Sequence, residues 1–157
     1  MSTGLLFDCD EEVANWSFAQ QGWTVPYKYD KALGLIDSSG MLAGSVFYHS
    51  WNGSNVEIAY YGKGTMTPGV YRSLARYAIL QFDASRLSAI TSKKNRQLIK
   101  GLMKTGFKFE GISRCYYGKQ DCNKNTGVRL VMFRDVLERV GKLLPKVNQN
   151  AHEPAPR

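Results

Sequence analysis

The sequence predicts one mixed α/β (α+β) domain, with a mostly antiparallel central sheet that contains a splayed parallel pair and is flanked by helices. Three observations lead to this prediction. Short strand patterns separated by turn-forming residues at 37–40 and 52–53 indicate an antiparallel meander. A strand, a glycine loop and a helix follow at 56–82. A further strand comes after that helix, and a crossover helix normally joins parallel neighbours.

In the first half of the chain, turn-forming and helix-capping residues mark the boundaries between the predicted elements. A helix over 10–21 has an acidic first turn, which suits the positive end of the helix dipole, and Asp8 or Asp10 would cap it. Gly22 is placed to end this helix. For residues 23–31 we predict only a loop or a short extended segment. The meander strands are predicted at 32–36, 41–50 and 56–61.

The second half alternates helices and strands. A helix over 68–82 would use Thr67 as its N-cap, with Pro68 in its first turn. A helix over 95–105 would be capped by Asn95 or Ser92 and ended by Gly106. The other predicted elements are strands at 87–91, 107–110 and 128–133 and a closing helix at 135–144.

The domain is predicted to span residues 1–144. Residues 145–157 contain three prolines and almost no apolar side chains, which is typical of a disordered tail. The chain has 157 residues, 43% of them hydrophobic, without a run of 18 apolar residues. Its N-terminus carries acids where a signal peptide needs bases, so we expect a cytoplasmic protein that does not enter a membrane.

The net charge of +8 makes nucleic acid, an acidic protein surface or a polyphosphate cofactor plausible partners. Arg96, Lys100 and Lys104 stand at i, i+4 and i+8 on one predicted helix and form a basic stripe. This stripe could contact phosphates, or it could be a solvated helix face.

The cysteines do not form a recognisable motif. Cys9, Cys115 and Cys122 are an odd number without a Cys-x-x-Cys pair, and only His49 and His152 could join them. We therefore expect three reduced thiols and neither a zinc site nor a disulfide framework.

The order of elements and one run of residues resemble a known family. The run begins with Asn95 and continues through Lys104-Thr105-Gly106-Phe107 to Glu110-Gly111-Ile112-Ser113-Arg114. From about residue 32 to 135 the chain resembles the GNAT (Gcn5-related) N-acetyltransferases, in particular their ribosomal-protein branch. It also looks similar to short sequences of this kind in tailed phages.

This resemblance implies acetyl-coenzyme A as cofactor. In the family a glycine loop before the helix cradles the pyrophosphate, and the matching positions here are Gly62, Lys63, Gly64, Thr65 and Thr67. The pantetheine arm would run along Ile58, Ala59 and Tyr60, with Asn95 near its middle. Two residues depart from the family's loop pattern, because Tyr61 replaces an Arg or Gln and Met66 replaces a small residue.

The resemblance also implies direct attack of an amine on the thioester. Glu57 is the candidate base, and an exposed strand charge is the alternative. The family's proton-donating tyrosine is replaced by Leu102, so Tyr116, Tyr117 or solvent would protonate the departing thiolate. His49 is expected to pack or to form hydrogen bonds.

Three functions remain open from the sequence. The first is acetyl transfer to an amine of a protein or small molecule. The second is a catalytically inactive GNAT-fold phage protein that acts as a virion component or binds a host protein, which the altered loop favours. The third is nucleic-acid binding through the basic stripe. The sequence does not predict the oligomeric state.

Overall fold

The computed structural model describes residues 2–24, 28–63 and 66–142. These residues form one seven-stranded sheet with the strand order β1-β2-β3-β4-β5-β7-β6, flanked by helices, which confirms the predicted fold class. The strands are β1 (Ser2–Leu6), β2 (Lys31–Asp37), β3 (Leu42–His49), β4 (Asn55–Gly62), β5 (Arg86–Ser92), β6 (Lys108–Ser113) and β7 (Gly127–Phe133). The helices are α1 (Asp10–Gln21), α2 (Pro68–Phe82), α3 (Arg96–Lys104) and α4 (Arg134–Gly141).

The pairing of β4 with β5 is parallel, and the other neighbours in the sheet pair antiparallel. The parallel register runs from Asn55 opposite Arg86 to Ile58 opposite Ala89. Both strands continue beyond this point, β4 to Gly62 and β5 to Ser92, without pairing to each other. The predicted splayed parallel pair is therefore confirmed.

The two faces of the sheet carry different helices. The larger hydrophobic core joins one face of the sheet to α2, α3 and α4, with Leu74, Leu102 and Leu137 among its buried members. A smaller core joins the opposite face to α1 through Val13 and Phe47. Along β4, side chains alternate between these faces because the side-chain period of a strand is two.

The ends of the helices follow local chemistry where a suitable side chain is present. At the start of α2, Oγ1 of Thr67 accepts a hydrogen bond from the amide of Val70 at 3.3 Å, as expected for an N-cap. Gly22 ends α1 with a φ of 66°, a left-handed conformation that glycine adopts without strain. Gly106, after α3, has a φ of 114°.

Asp10 is not the N-cap of α1, and Asn95 holds the predicted N-cap position of α3 without a capping hydrogen bond. Asp10 does not cap α1, because its Oδ2 accepts the backbone N–H of Ala32 at 2.8 Å and so fastens the helix to β2. At the start of α3, the side chain of Asn95 makes no capping hydrogen bond. Its amide group donates instead to Oγ1 of Thr91 at 3.1 Å. Both side chains form hydrogen bonds to residues of the sheet instead of to their own helices.

Strand β1 was not predicted, because the segment Ser2–Leu6 lacks an alternating pattern; it joins the sheet by pairing with β2. The expected free thiols are wrong for Cys115 and Cys122, which form a disulfide. The segment between β6 and β7 turns back on itself, with the amide of Cys115 donating to the carbonyl of Cys122 at 3.4 Å. The predicted tail at 145–157 lies outside the described residues.

Candidate active site

The divergence of β4 and β5 opens a cleft on the face of the sheet that α3 covers. The cleft is a cavity of about 250 Å³, and its walls are mainly apolar. It is lined by Ile58, Ala59, Tyr60, Tyr61, Met66, Ala89, Ile90, Thr91, Ser92, Asn95, Leu98, Leu102 and Tyr117. Three of the residues predicted to hold pantetheine, Ile58, Ala59 and Tyr60, therefore lie together in one wall.

The cleft exposes one edge of β4 to a ligand. Residues 59–62 pair with β3 on one side, where Ala59 lies opposite Phe47 and Gly62 opposite Gly44. On the other side their pairing with β5 has ended at Ile58. Beyond Ile58 no second strand of the described chain covers the edge of β4 that faces β5. A sheet edge of this kind is where an extended ligand that carries amide groups can add.

Asn95 brings a polar group to the opposite wall of the cleft. Its Nδ2 donates to Oγ1 of Thr91, which fixes the side chain against the end of β5. Leu102 also lines the cleft, about two turns further along α3. Asn95 thus lines the cleft, and an aliphatic side chain occupies the position where the family often has a tyrosine.

Tyr117 reaches the cleft from the segment between β6 and β7. Its hydroxyl donates to the backbone carbonyl of Ile90 at 3.4 Å, and its ring contacts Tyr116 edge-on with centroids 4.9 Å apart. Burial, with smaller effects of Tyr116, Tyr61 and Glu57, raises the pKa of Tyr117 to about 12. Tyr117 is therefore a protonated hydrogen-bond donor at neutral pH.

Glu57 lies on the other face of β4, beside the point where the strands diverge. It is 8% exposed, so the alternative of a solvent-facing strand charge is wrong. Its Oε2 accepts a hydrogen bond from Nη1 of Arg129 at 2.9 Å, and its Oε1 lies 3.9 Å from Nε2 of His49. A buried carboxylate needs such partners, since desolvation of an unpaired charge is costly.

The histidine in this cluster is held in its neutral form. Burial lowers the pKa of His49, and the carboxylates of Glu57 and Asp30 oppose that shift without reversing it. Nδ1 of His49 lies 2.9 Å from Oγ of Ser50. His49 forms hydrogen bonds as expected, and it also contributes a neutral imidazole next to the candidate base.

Two further side chains complete the cluster around Glu57. Ser88 lies directly opposite Glu57 in the parallel register and is fully buried, and its Oγ makes no hydrogen bond in the structure. Burial raises the pKa of Tyr116, with Glu57 raising it further and Arg129 lowering it. The tyrosine hydroxyl is therefore within electrostatic range of both members of the ion pair.

Of the predicted phosphate loop, Gly62, Lys63 and Thr67 lie among the described residues, and each is engaged within the chain. A Cβ on Gly62 would lie 2.5 Å from the Cα of Gly44, and its φ is 126°, so glycine is required there by the close approach of β3. The amide of Lys63 donates to the carbonyl of Ala43 at 3.0 Å. Thr67 is engaged in capping α2. Gly64 and Thr65 lie outside the described residues.

The structure thus divides the predicted site residues into two groups. One group surrounds the cleft and the sheet next to it: Glu57, Ile58, Ala59, Tyr60, Asn95, Tyr116 and Tyr117. Gly62 and Lys63 instead line a second cavity, bounded on its other side by the end of α1. Arg129 was missed, because a single arginine within an apolar strand pattern carries no local signal of a partner 72 residues away.

The basic stripe is a feature of the molecular surface. Arg96, Lys100 and Lys104 are all exposed on α3, whose buried side is marked by Leu102. The stripe therefore lies outside the cluster around Glu57.

No protein-family model matches the sequence, and no curated protein matches it. Solved structures match its fold. A spermidine N-acetyltransferase SpeG chimera from Vibrio cholerae and hSSAT has a TM-score of 0.69 at 10% identity, over 85% of this chain and 98% of that chain. A putative phosphinothricin N-acetyltransferase has a TM-score of 0.61 at 13% identity, over 83% and 97% of the two chains.

A GNAT-family acetyltransferase from Bacillus anthracis also matches, with a TM-score of 0.55 at 13% identity over 66% of each chain. These structures are N-acetyltransferases or acetyltransferases by description, and the chain has the fold of the GNAT acetyltransferases. At such low identities the similarity concerns the fold alone. Among the described residues, the helices lack the length and apolar character needed to cross a bilayer.

Proposed function

We propose that this chain is an acetyl-coenzyme A-dependent N-acetyltransferase that acts on an amine of a protein or small molecule. One observation carries the proposal: the open edge of β4 borders a cleft, and a buried carboxylate lies beside the point where that cleft begins. The fold comparisons support the same activity.

The residues of the cleft fit the pantetheine arm of coenzyme A. This arm is a narrow chain with two amide groups, and the cleft offers an apolar channel with an open strand edge. In the proposal Ile58, Ala59 and Tyr60 supply backbone contacts, and Asn95 supplies a side-chain amide from the opposite wall. Gly64 and Thr65 remain predicted contacts of the pyrophosphate.

Acetyl-coenzyme A would supply an activated acetyl group: the amine nitrogen bonds to its carbonyl carbon, the carbon–sulfur bond breaks, and the thiolate takes up a proton. Glu57 would remove a proton from the acceptor amine, directly or through water. Arg129 holds one oxygen of Glu57 in place, while the other faces the neutral His49. Tyr117, or Tyr116, would donate a hydrogen bond to the leaving sulfur.

Calorimetric titration of acetyl-coenzyme A into the purified protein tests the proposal, at moderate salt to suppress purely electrostatic association. We expect one site of about micromolar affinity. Leu98→Trp should weaken binding at least about tenfold, because the indole would fill the cleft. Met103→Trp is the matched control, since Met103 is half exposed on the same helix and does not line the cleft.

A second function is favoured by a specific observation in the glycine loop. The amide of Lys63 and the hydroxyl of Thr67 already have partners within the chain, and Met66 lines the cleft. A protein that has kept the fold but lost the cofactor, and that acts as a virion component or binds a host protein, would show these features. Absence of binding at millimolar acetyl-coenzyme A, together with co-purification with a virion or one host protein, would support this alternative.

Nucleic-acid binding is the third proposal, and the exposed stripe on α3 is the feature that supports it. Replacement of Arg96, Lys100 and Lys104 by alanine should weaken such binding and reduce its dependence on salt. The same triple variant should leave acetyl-coenzyme A titration nearly unchanged if the cleft holds the cofactor.

A further inference from the structure

The face of the sheet that carries Glu57 also carries an arginine that is held in place while only some of its N–H donors are engaged. Arg129 lies on β7, and its side chain crosses the position of β5 to reach Glu57 on β4. A guanidinium has five N–H donors. In the described contacts of Arg129, Nη1 donates to Oε2 of Glu57. The side chain is 34% exposed, so solvent or a ligand can reach the remaining donors.

A second polar group on this face, the hydroxyl of Ser88, can also form a further hydrogen bond. The register places Glu57 opposite Ser88, and places Ser88 and Arg129 on strands that are neighbours in the sheet. Paired residues of neighbouring strands project to the same face, so Ser88 shares the face of the Glu57–Arg129 pair. Its buried hydroxyl makes no hydrogen bond in the structure. Buried polar atoms of native proteins are nearly all satisfied, so this one points to a missing partner.

The charge of this site is unsuited to a polyamine. Recognition of an extended chain of ammonium groups requires carboxylates that are free to pair with them. The charge of Glu57 is balanced by Arg129, so this pair adds no net negative charge that would attract a chain of several ammonium groups. An arginine that is partly exposed next to the candidate base favours instead an acceptor that carries a negative group.

The distances limit how far that negative group can be from the reacting amine. Glu57 would take the proton of the amine, and Glu57 is within 2.9 Å of the guanidinium. An anion on the free donors of Arg129 therefore lies within a few bonds of a nitrogen next to Glu57. An α-amino acid has this arrangement of amine and carboxylate.

We propose that the acceptor is a small amine with a carboxylate within a few bonds of its nitrogen, as in an α-amino acid, and that Arg129 binds this carboxylate. The proposal rests on the acetyl transfer proposed above and names its substrate class. An aromatic side chain borders the site, since Tyr116 lies within electrostatic range of both Glu57 and Arg129.

The test compares amino acids with their α-amides in acetyl transfer by the full chain, measured as release of the coenzyme A thiol. The pairs are L-alanine, L-phenylalanine and L-glutamate with the corresponding amides, and spermidine is included as a polyamine. At least one amino acid should have a kcat/KM about tenfold or more above that of its amide. At neutral pH an amide keeps less of its amine protonated, so amine ionisation alone would favour the amide.

The variant Arg129→Gln should reduce the preference for the acid over its amide to about one, with acetyl-coenzyme A affinity unchanged. Arg86→Gln is the matched control, since Arg86 forms a comparable ion pair with Glu110 at 2.6 Å outside the site, and it should keep the preference. If Arg129→Gln does not fold, the preference of the unmodified chain still decides.

Equal use of acids and amides, better use of spermidine, or an unchanged preference in a folded Arg129→Gln variant would overturn the assignment of Arg129 and leave acetyl transfer standing. Failure of the unmodified chain to bind acetyl-coenzyme A would instead overturn the proposed function, and this inference with it.

Discussion

The two halves of strand β4 differ in how their backbone is paired. Residues 55–58, the closed half, pair with β5, and Glu57 and Ile58 in it also pair with β3. Residues 59–62, the open half, pair with β3, and β5 has diverged from them. Val56 in the closed half is fully buried, whereas Ala59 and Tyr60 in the open half are partly exposed and line the cleft.

This difference shows how one strand serves both stability and a binding site. In the closed half, pairing with β5 satisfies backbone groups along one edge of the strand, and the side chains of Val56 and Ile58 pack into the larger core. In the open half no second described strand covers this edge of β4, so solvent or an extended ligand can approach it from the cleft. Glu57 lies in the closed half, so the candidate base is held rigidly one residue before the strands diverge.

Of the substitutions that test this comparison, one in the core beside the closed half should have the largest effect. Leu87 on β5 lies opposite Val56 and is 2% exposed. Leu87→Ala should lower the free energy of unfolding by about 2–5 kcal/mol, because it leaves a cavity in the core. Urea unfolding measures the change. Leu80→Ala on the exposed side of α2 is the control and should change it by less than about 0.5 kcal/mol; similar losses in the two variants would contradict the division.

The next effect concerns the candidate base at the boundary of the two halves. Glu57→Gln should reduce turnover at neutral pH by about 10²-fold or more, because the amide cannot accept the amine proton, while the affinity for acetyl-coenzyme A stays nearly the same. Steady-state kinetics and calorimetry measure the two quantities. Glu110→Gln, which removes the ion pair with Arg86, is the matched control. Unchanged turnover in Glu57→Gln would remove Glu57 from the mechanism.

A smaller effect on turnover is expected when Tyr117 or Tyr116 is replaced by phenylalanine. Tyr117→Phe should lower kcat by less than about tenfold, because a hydroxyl whose pKa is raised to about 12 donates a hydrogen bond but is a weak acid, and solvent can protonate the sulfur. Tyr116→Phe should have less effect, since Tyr116 is not among the residues that line the cleft. A loss of several hundredfold for either variant would make that tyrosine an essential acid.

The smallest effect is the pH dependence that His49 adds to stability. Burial lowers the pKa of His49 in the folded chain, so the unfolded chain binds this proton more tightly. The free energy of unfolding should therefore fall as the pH drops from about 7 to about 5.5, and His49→Gln should make that decrease shallower. Urea unfolding at several pH values measures both slopes. Glu57 and Asp30 face the same imidazole, and equal slopes would show that His49 does not contribute.

Local sequence patterns were sufficient for most of the secondary structure. The helix predicted at 68–82 has those bounds in the structure, and so does the helix at 10–21. Period-two alternation and the turn residues predicted the meander to within about two residues. These features are local because hydrogen bonding within a helix, turn conformation and side-chain periodicity depend on neighbouring residues. Ser2–Leu6 has no such pattern, and β2 alone makes it a strand.

The sequence by itself determined the order of the elements from α1 to α4, the splay that follows from a parallel pair, and the candidates Glu57 and Asn95. Only the tertiary structure decided that Glu57 is buried against Arg129 and that Gly62 is required by the approach of β3. It also decided that Cys115 and Cys122 meet. The physical reason is that these contacts depend on which strands become neighbours in space, and local propensity carries no information about a partner that lies on another strand or across a turn.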